Sequence, residues 1–207
     1  MPSIIIGKDG AFQNGFFNSD TGNTLFYDSF TDSDGTGIAS HTPDTDVVGN
    51  GWQGDTGSAD IQSNQLRFTG NIDDIWVQTN ESDVIITVKW TPTAGSRNSI
   101  ILRGADESND HIRFNIRQPN QDYGAFNVTN GTGSTGPIPR TTFAWNAGQT
   151  YDLKIVASGT NLEWYIDGNL EATGSTTFQQ NVTTHGLRRD NGNNGQRFDD
   201  FRIQSNA

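Results

Sequence analysis

The chain has 207 residues, no cysteine, 31% apolar residues and a formal net charge of −11. That length suits one all-β domain with or without a short arm, and five Trp and twelve Phe exclude a chain that never packs. The missing cysteines exclude a disulfide framework and fit assembly in a cytosol. Thirteen acids but only two bases, Lys8 and Arg67, precede residue 84, and the remainder is neutral. An acidic front half repels phosphates and argues against nucleic acid. It favours a basic protein surface or bound divalent cations, with plain solubility as the alternative.

The opening residues, MPSIIIGKDGAFQNG, have no basic n-region and an apolar run of only three. They do not read as a secretion signal, and no later run approaches a membrane span. Residues 1–23 show no sustained alternation and read as an extended N-terminal arm, ordered by a partner or by the domain's flank. Ile4, Ile5, Ile6, Phe12, Phe16 and Phe17 are its docking candidates.

Residues 24–207 then read as the folded domain. Strand patterns follow at 24–30, 74–80, 84–90, 99–104 and 111–117, and again at 123–129, 151–157, 162–166 and 197–204. In HIRFNIR (111–117), Ile112, Phe114 and Ile116 face one side and Arg113, Asn115 and Arg117 the other, as in a half-buried antiparallel strand. No window keeps a helical apolar spacing. Strands joined by turns without helices predict a two-sheet antiparallel β-sandwich.

Between the first two strands lies a long loop, residues 31–60, which in a compact domain is functional or folded on itself. Within it Asp44 and Asp46 are placed to bond nearby backbone N–H groups, and Trp52 is placed to plug one end of the sandwich or to stack on a ligand.

Several motifs tempt a chemical reading. DSDG (32–35) has its Gly too early for a calcium loop and Pro43 where the closing Glu belongs. GTGSTG (131–136) is followed by Pro137 and Pro139, so no helix opens there to cradle a phosphate. His41, His111 and His185 lack metal spacing, and no Ser sits in a nucleophile elbow.

NLEWYIDGNLEA (161–172) packs three carboxylates beside a Trp and a Tyr. A three-residue loop, Asp167–Gly168–Asn169, pairs Ile166 with Leu170 and Trp164 with Ala172, and gathers the apolar residues on one face. Glu163, Tyr165 and Glu171 then share the other. Glu163 and Glu171 lie at diagonal spacing, within the range used for glycoside hydrolysis. A strand end near a turn, however, gives neither carboxyl a reason to stay protonated.

YDLKIVASGTNLEWYIDGNLEATG resembles the late hairpin of laminin-G-like and concanavalin A-like jelly rolls, RFDDFRIQ their closing strand, and LFYDSF their first. The related glucanases carry E-x-D-x-x-E, a spacing this chain lacks. The resemblance implies a structural calcium joining the first and last strands, with Asp28 and Asp199 or Asp200 as ligands; in the alternative, Asp199 and Asp200 simply flank a strand, one of them paired with Arg197 or Arg202. GTGIASHTPDTDVVGNGW (35–52) is similar to a loop in jelly-roll proteins of tailed-bacteriophage particles. That likeness implies a non-enzymatic virion protein made in the host cytoplasm, a capsid decoration protein docked through its arm and homo-oligomeric, by analogy a trimer. The alternative is a lectin-like module or phage adhesin gripping a glycan with Arg113, Asn115, Arg117, Glu163 and Tyr165. A glycanase using Glu163 and Glu171 is the third reading.

Overall fold

The computed structural model describes residues 22–104, 110–191 and 195–206. The arm candidates Ile4, Ile5, Ile6, Phe12, Phe16 and Phe17 lie outside them. In chain order the strands are β1 (Thr24–Asp28), β2 (Thr45–Asp46), β3 (Gln53–Gly54), β4 (Ala59–Ile61), β5 (Leu66–Phe68), β6 (Asp73–Gln78), β7 (Val84–Thr91), β8 (Arg97–Leu102) and β9 (His111–Arg117). They continue as β10 (Asp122–Thr129), β11 (Thr132–Gly133), β12 (Ile138–Thr142), β13 (Tyr151–Ser158), β14 (Asn161–Ile166), β15 (Asn169–Ser175), β16 (Thr184–Asn191) and β17 (Arg197–Ser205). Helical structure among the described residues is limited to three single 3-10 turns.

The ladders among the described residues are antiparallel, and they form two sheets. The first runs β15-β14-β13-β7-β17-β1-β2, with β5 and then β4 added beside β17; the second runs β11-β10-β9-β8-β16-β6-β3, with β12 paired to β10. Period-two patterning decides which side chains meet between them. Ile86, Val88 and Trp90 of β7 and Leu153 and Ile155 of β13 are buried on one side; Ile75 and Val77 of β6, Ile100, Phe114 and Leu187 are buried on the other. Trp164 of the first sheet stacks on Phe114 (ring centroids 5.0 Å apart) and on Tyr123 (5.6 Å), both of the second. The sandwich is therefore closed by aromatic contacts across the layers, where large rings bury the most area.

The 31–60 loop is folded back on the domain. Trp52 is buried against Phe26, Phe30 and Phe201 and donates from Nε1 to Asp28 Oδ2 at 2.6 Å. It plugs the end of the sandwich. Asp44 accepts from the Ser29 N–H, and Asp46 from those of Gly49 and Gly51, which fixes the loop's path.

A second clamp joins the sheets at Arg103, just after β8. Its fully buried guanidinium reaches Ser82 O (3.0 Å), Asp83 Oδ1 (2.9 Å) and Gly159 O (2.8 Å), all beside strands of the first sheet. Next to it His185 accepts from the Arg103 N–H through Nδ1 (3.2 Å), and its Nε2 faces Glu81 O at 2.9 Å. These partners select the neutral ring with its proton on Nε2.

The hairpin differs from the expected one. Asp167 and Gly168 both have positive φ, 49° and 79°, and form a two-residue turn that pairs Ile166 with Asn169 and Tyr165 with Leu170. A bulge at Glu171 then restores the pairing of Trp164 with Ala172. The apolar face of β14 is kept, but Leu170 turns outward and is 52% exposed. Turn geometry fixed the loop, and one extra residue absorbed the mismatch that the apolar pattern alone would have put into a longer turn.

Two predictions follow from the packing. Trp164→Ala should cost about 3–5 kcal/mol in urea unfolding, whereas Leu170→Ala should change stability by no more than about 0.5 kcal/mol; a large loss at Leu170 would restore the longer loop. Burial pushes the pKa of His185 down to about 4, and burial does the same to His111. Both rings are neutral when folded but take up a proton near pH 6.5 when unfolded. Their contribution is complete above pH 6.5 and is lost as pH falls toward 4, at about 1.4 kcal/mol per pH unit for each ring. Urea midpoints measured from pH 7 to pH 5 should fall, and His185→Gln should flatten that slope.

Candidate functional site

The outward face of the second sheet carries side chains in cross-strand rows. One register line runs Trp76–Gly186–Ile101–Arg113–Phe126, through β6, β16, β8, β9 and β10. Two residues along, a parallel line runs Asp74–Arg188–Ser99–Asn115–Gly124, and the next runs Arg97–Arg117–Asp122–Thr142 onto β12. Every one of these positions alternates with a core residue, so the same periodicity that builds the core delivers this face.

Asp190 is the hub of the middle row. The register of β16 shifts between Arg189 and Asn191, leaving Asp190 as a bulge residue with no partner on β8. From there its carboxylate accepts from Arg188 Nε (2.8 Å), Arg113 Nη1 (2.8 Å), Asn115 Nδ2 (2.7 Å) and the Ser99 hydroxyl. Its side chain is only 9% exposed. Arg188 also pairs with Asp74 through Nη1. Burial raises the pKa of Asp74, against the pull of Arg188.

Asp122 is a second hub. Arg117 grips it bidentately, with Nε at 2.7 Å, and Arg140 Nη1 reaches it at 3.2 Å while also donating to Asn115 Oδ1 at 3.1 Å. The Arg140 guanidinium lies over the Phe126 ring, 4.5 Å from its centroid. Gly124 makes room for this stack: a Cβ there would lie 3.2 Å from the ring and 3.3 Å from Arg140 Cα. Trp76 and Phe126, both half-buried, stand at the two ends of the first row. Four strand spacings separate them, roughly 19 Å.

The residues expected to form one glycan face are divided between two. Arg113, Asn115 and Arg117 come together as described. Glu163 and Tyr165 lie on β14, in the other sheet, and both sheets point these residues away from the core, so the sandwich separates them. There the Tyr165 hydroxyl donates to Glu163 Oε2 at 2.6 Å, and Lys154 lies 4.8 Å over the Tyr165 ring. Glu163 lines a shallow groove of about 710 Å³ with Gly136, Pro137 and Thr173, where the edge strands β12 and β15 approach. Glu171 sits exposed in the bulge. Neither glutamate lies in the hydrophobic or like-charged setting that keeps a general acid protonated.

The expected calcium ligands are also kept apart. Asp28 points inward, wholly buried, and its oxygens are taken by the Phe30 N–H (2.7 Å), His41 Nε2 (2.9 Å) and Trp52 Nε1. Asp200, in a bulge of β17 with φ 49°, faces outward to the Tyr27 hydroxyl (2.9 Å) and Lys89. Burial and the Asp200 hydrogen bond push the Tyr27 hydroxyl up to about 12. Asp199 accepts from the Asp200 N–H. Alternation across β1 and the β17 bulge put the carboxylates on opposite sides of the sheet, and no group of three metal-ligating side chains occurs among the described residues. Where an ion was expected, Asp28 bonds to an imidazole and an indole.

Sequence reasoning missed Asp74, Trp76, Ser99, Phe126, Arg140, Arg188 and Asp190. For Trp76 and Phe126 the signal was present, as the outward residues of recognised strands. For Arg188 and Asp190 it was absent, because β16 was not recognised.

No protein-family model matches the chain and no curated protein matches it in sequence. In structure it is similar to a carbohydrate-binding module from Bacillus subtilis, at 15% identity over 74% of this chain and 95% of that one, with a TM-score of 0.63. It is similar to a β-glucanase from Bacillus licheniformis, at 13% identity over 90% of this chain and 100% of that one, with a TM-score of 0.62. A galectin from Caenorhabditis elegans matches at 20% identity over 63% and 89%, with a TM-score of 0.50. At these identities the likeness is one of fold: a jelly-roll β-sandwich of the concanavalin A-like kind, as the hairpin and closing strand implied.

The lattice makes a direct prediction. Asp190→Ala leaves two guanidiniums, 21% and 15% exposed, without their shared counter-charge. Urea unfolding should show a loss of about 2–4 kcal/mol, toward the lower end for a buried pair because both cations keep some solvent. A loss within about 0.5 kcal/mol would mean that the lattice contributes only surface pairs.

Proposed function

We propose that the protein is a non-catalytic carbohydrate-binding module whose glycan lies along the Trp76–Phe126 row of the second sheet. The observation that carries this reading is the row itself: two half-buried aromatic rings, roughly 19 Å apart, with Gly186, Ile101 and Arg113 between them and a fixed lattice of donors and acceptors alongside. Aromatic surface for C–H faces and a few rigid polar groups for hydroxyls is the composition of a specific small-molecule site. The span suits an oligosaccharide. Proteins named for sugar binding, the module and the galectin, share the scaffold, and this supports the reading without carrying it.

Binding without turnover is supported by the state of the carboxylates. Asp74, Asp122 and Asp190 each have at least one guanidinium partner. Their oxygens are engaged by those cations, so none of the three stands free to serve as one of the carboxyl pair that glycoside cleavage requires. The lectin-like reading thus moves ahead of the decoration protein, whose docking residues lie outside the described part of the chain.

The test is affinity electrophoresis through gels containing different polysaccharides, with a reducing-end assay run in parallel. At least one polymer should retard the protein, Trp76→Ala should weaken retardation at least tenfold, Glu163→Gln should leave it unchanged, and no reducing ends should appear. Retardation indifferent to Trp76→Ala but lost on Tyr165→Ala would move the site to the first sheet. Turnover abolished by Glu163→Gln would make the protein a glycanase.

A further inference from the structure

The third row of the face holds an arrangement that nothing in the fold requires. Arg97 of β8 lies directly opposite Arg117 of β9, and like charges directly opposite one another destabilise a sheet. Arg97 is exposed and has no hydrogen bond or ion pair among the described residues, while Arg117 is held by Asp122. Arg140, 37% exposed, leans on the same carboxylate. Two guanidiniums therefore share one carboxylate, and the third, Arg97, stands beside them without one. Over the whole face Arg97, Arg113, Arg117, Arg140 and Arg188 stand against Asp74, Asp122 and Asp190, an excess of two positive charges on a chain whose net charge is −11. The field is felt by neighbours: after burial, the leading causes that hold the His111 pKa low are Arg188 and Arg113, and the cations Arg117 and Arg113 both act against the charge on Arg140.

Deepening the glycan reading, on which it rests, we propose that the ligand is an acidic glycan, with an anionic group seated between Arg97, Arg117 and Arg140 beside the Phe126 end of the aromatic row. A planar carboxylate matches the forked donors of a guanidinium. Its charge offsets the Arg97–Arg117 repulsion. Sugar rings then extend from Phe126 toward Trp76, so the acidic residue lies at one end of the bound segment.

Matched polymers test this: polygalacturonate, alginate and hyaluronate, each beside its carboxyl-reduced neutral form, titrated calorimetrically against the full chain. At least one acidic form should bind ten times or more tighter than its reduced form. Arg97→Gln should remove most of that preference without lowering the urea midpoint, because it deletes a repulsive pair. Lys154→Gln, which removes a cation from the opposite sheet, should leave the preference intact. Raising salt from about 50 to 500 mM should erode it. If reduced forms bind as tightly as acidic ones and Trp76→Ala still abolishes binding, the anionic class is wrong and the glycan site stands. If no polymer binds in either form, both readings fall. Equal losses with Arg97→Gln and Lys154→Gln would show general charge attraction and overturn the seat.

Discussion

Four donors from three strands meet on the Asp190 carboxylate, and the outer face of the second sheet is organised around that convergence. Ser99 comes from β8, Arg113 and Asn115 from β9, and Arg188 from β16, the carboxylate's own strand. A one-residue slip of any of these strands would move its donor to the core side. It would also leave a largely buried carboxylate without partners, at a cost several times that of one ordinary hydrogen bond. The core sets register by excluding polar groups, and the lattice sets it by demanding them. Both act on the same strands with opposite faces, so the arrangement is specified twice. The bulge makes it possible, because an extra residue on β16 places Asp190 between the positions paired to Asn98 and Arg97.

Much of the fold was legible because apolar alternation is a direct record of burial. The nine recognised strand segments correspond to β1, β6, β7, β8, β9, β10, β13, β14 and β17. The central strand β16 was not legible, for a definite reason. Its inward positions are His185, Leu187 and Arg189, so two of three core-facing residues are polar, and Gly186 interrupts the run. His185 is admitted to the interior by the Arg103 N–H and Glu81 O, partners far away in sequence. Without β16, Arg188 and Asp190 had no face to belong to. The glycan face assembled from sequence therefore joined β9 to β14 across the sandwich, although Arg113, Asn115 and Arg117 do share one outward face. The hairpin failed more narrowly: the pairing of Trp164 with Ala172 is present, but two positive-φ residues and a bulge produce it, and a bulge leaves no apolar signature.

One scaffold here resembles both a glucanase and a carbohydrate-binding module, so fold leaves the chemistry open. What separates the two outcomes is the treatment of carboxylates. A glycosidase needs one carboxyl held neutral and another left free as base or nucleophile. On this face each carboxylate has a cation within bonding distance, and Asp190 has its oxygens occupied besides. Burial raises the pKa of Asp74 even beside Arg188, whose Nη1 occupies both of its oxygens. Groups held this way are rigid hydrogen-bond acceptors rather than free carboxyls.

The acidic balance of the chain is compatible with a basic partner, with divalent cations or with plain solubility, and the structure shows where the charges are placed. Most of the front-half carboxylates seen bonding accept from backbone N–H groups, near in sequence for Asp28 to Phe30, Asp32 to Ser33 and Asp46 to Gly49 and Gly51, and farther off for Asp34 to Ser63, Asp44 to Ser29 and Asp55 to Asp74. They are turn-forming residues whose charge is incidental to the loops they stabilise. Five arginines, Arg97, Arg113, Arg117, Arg140 and Arg188, are gathered by β8, β9, β12 and β16 onto one surface. At physiological ionic strength charges act over about 8 Å. A ligand on that surface therefore meets the guanidiniums within a few ångströms of it, while aspartates around the far loops are screened. The molecule is negative overall, yet this one surface carries more guanidiniums than carboxylates.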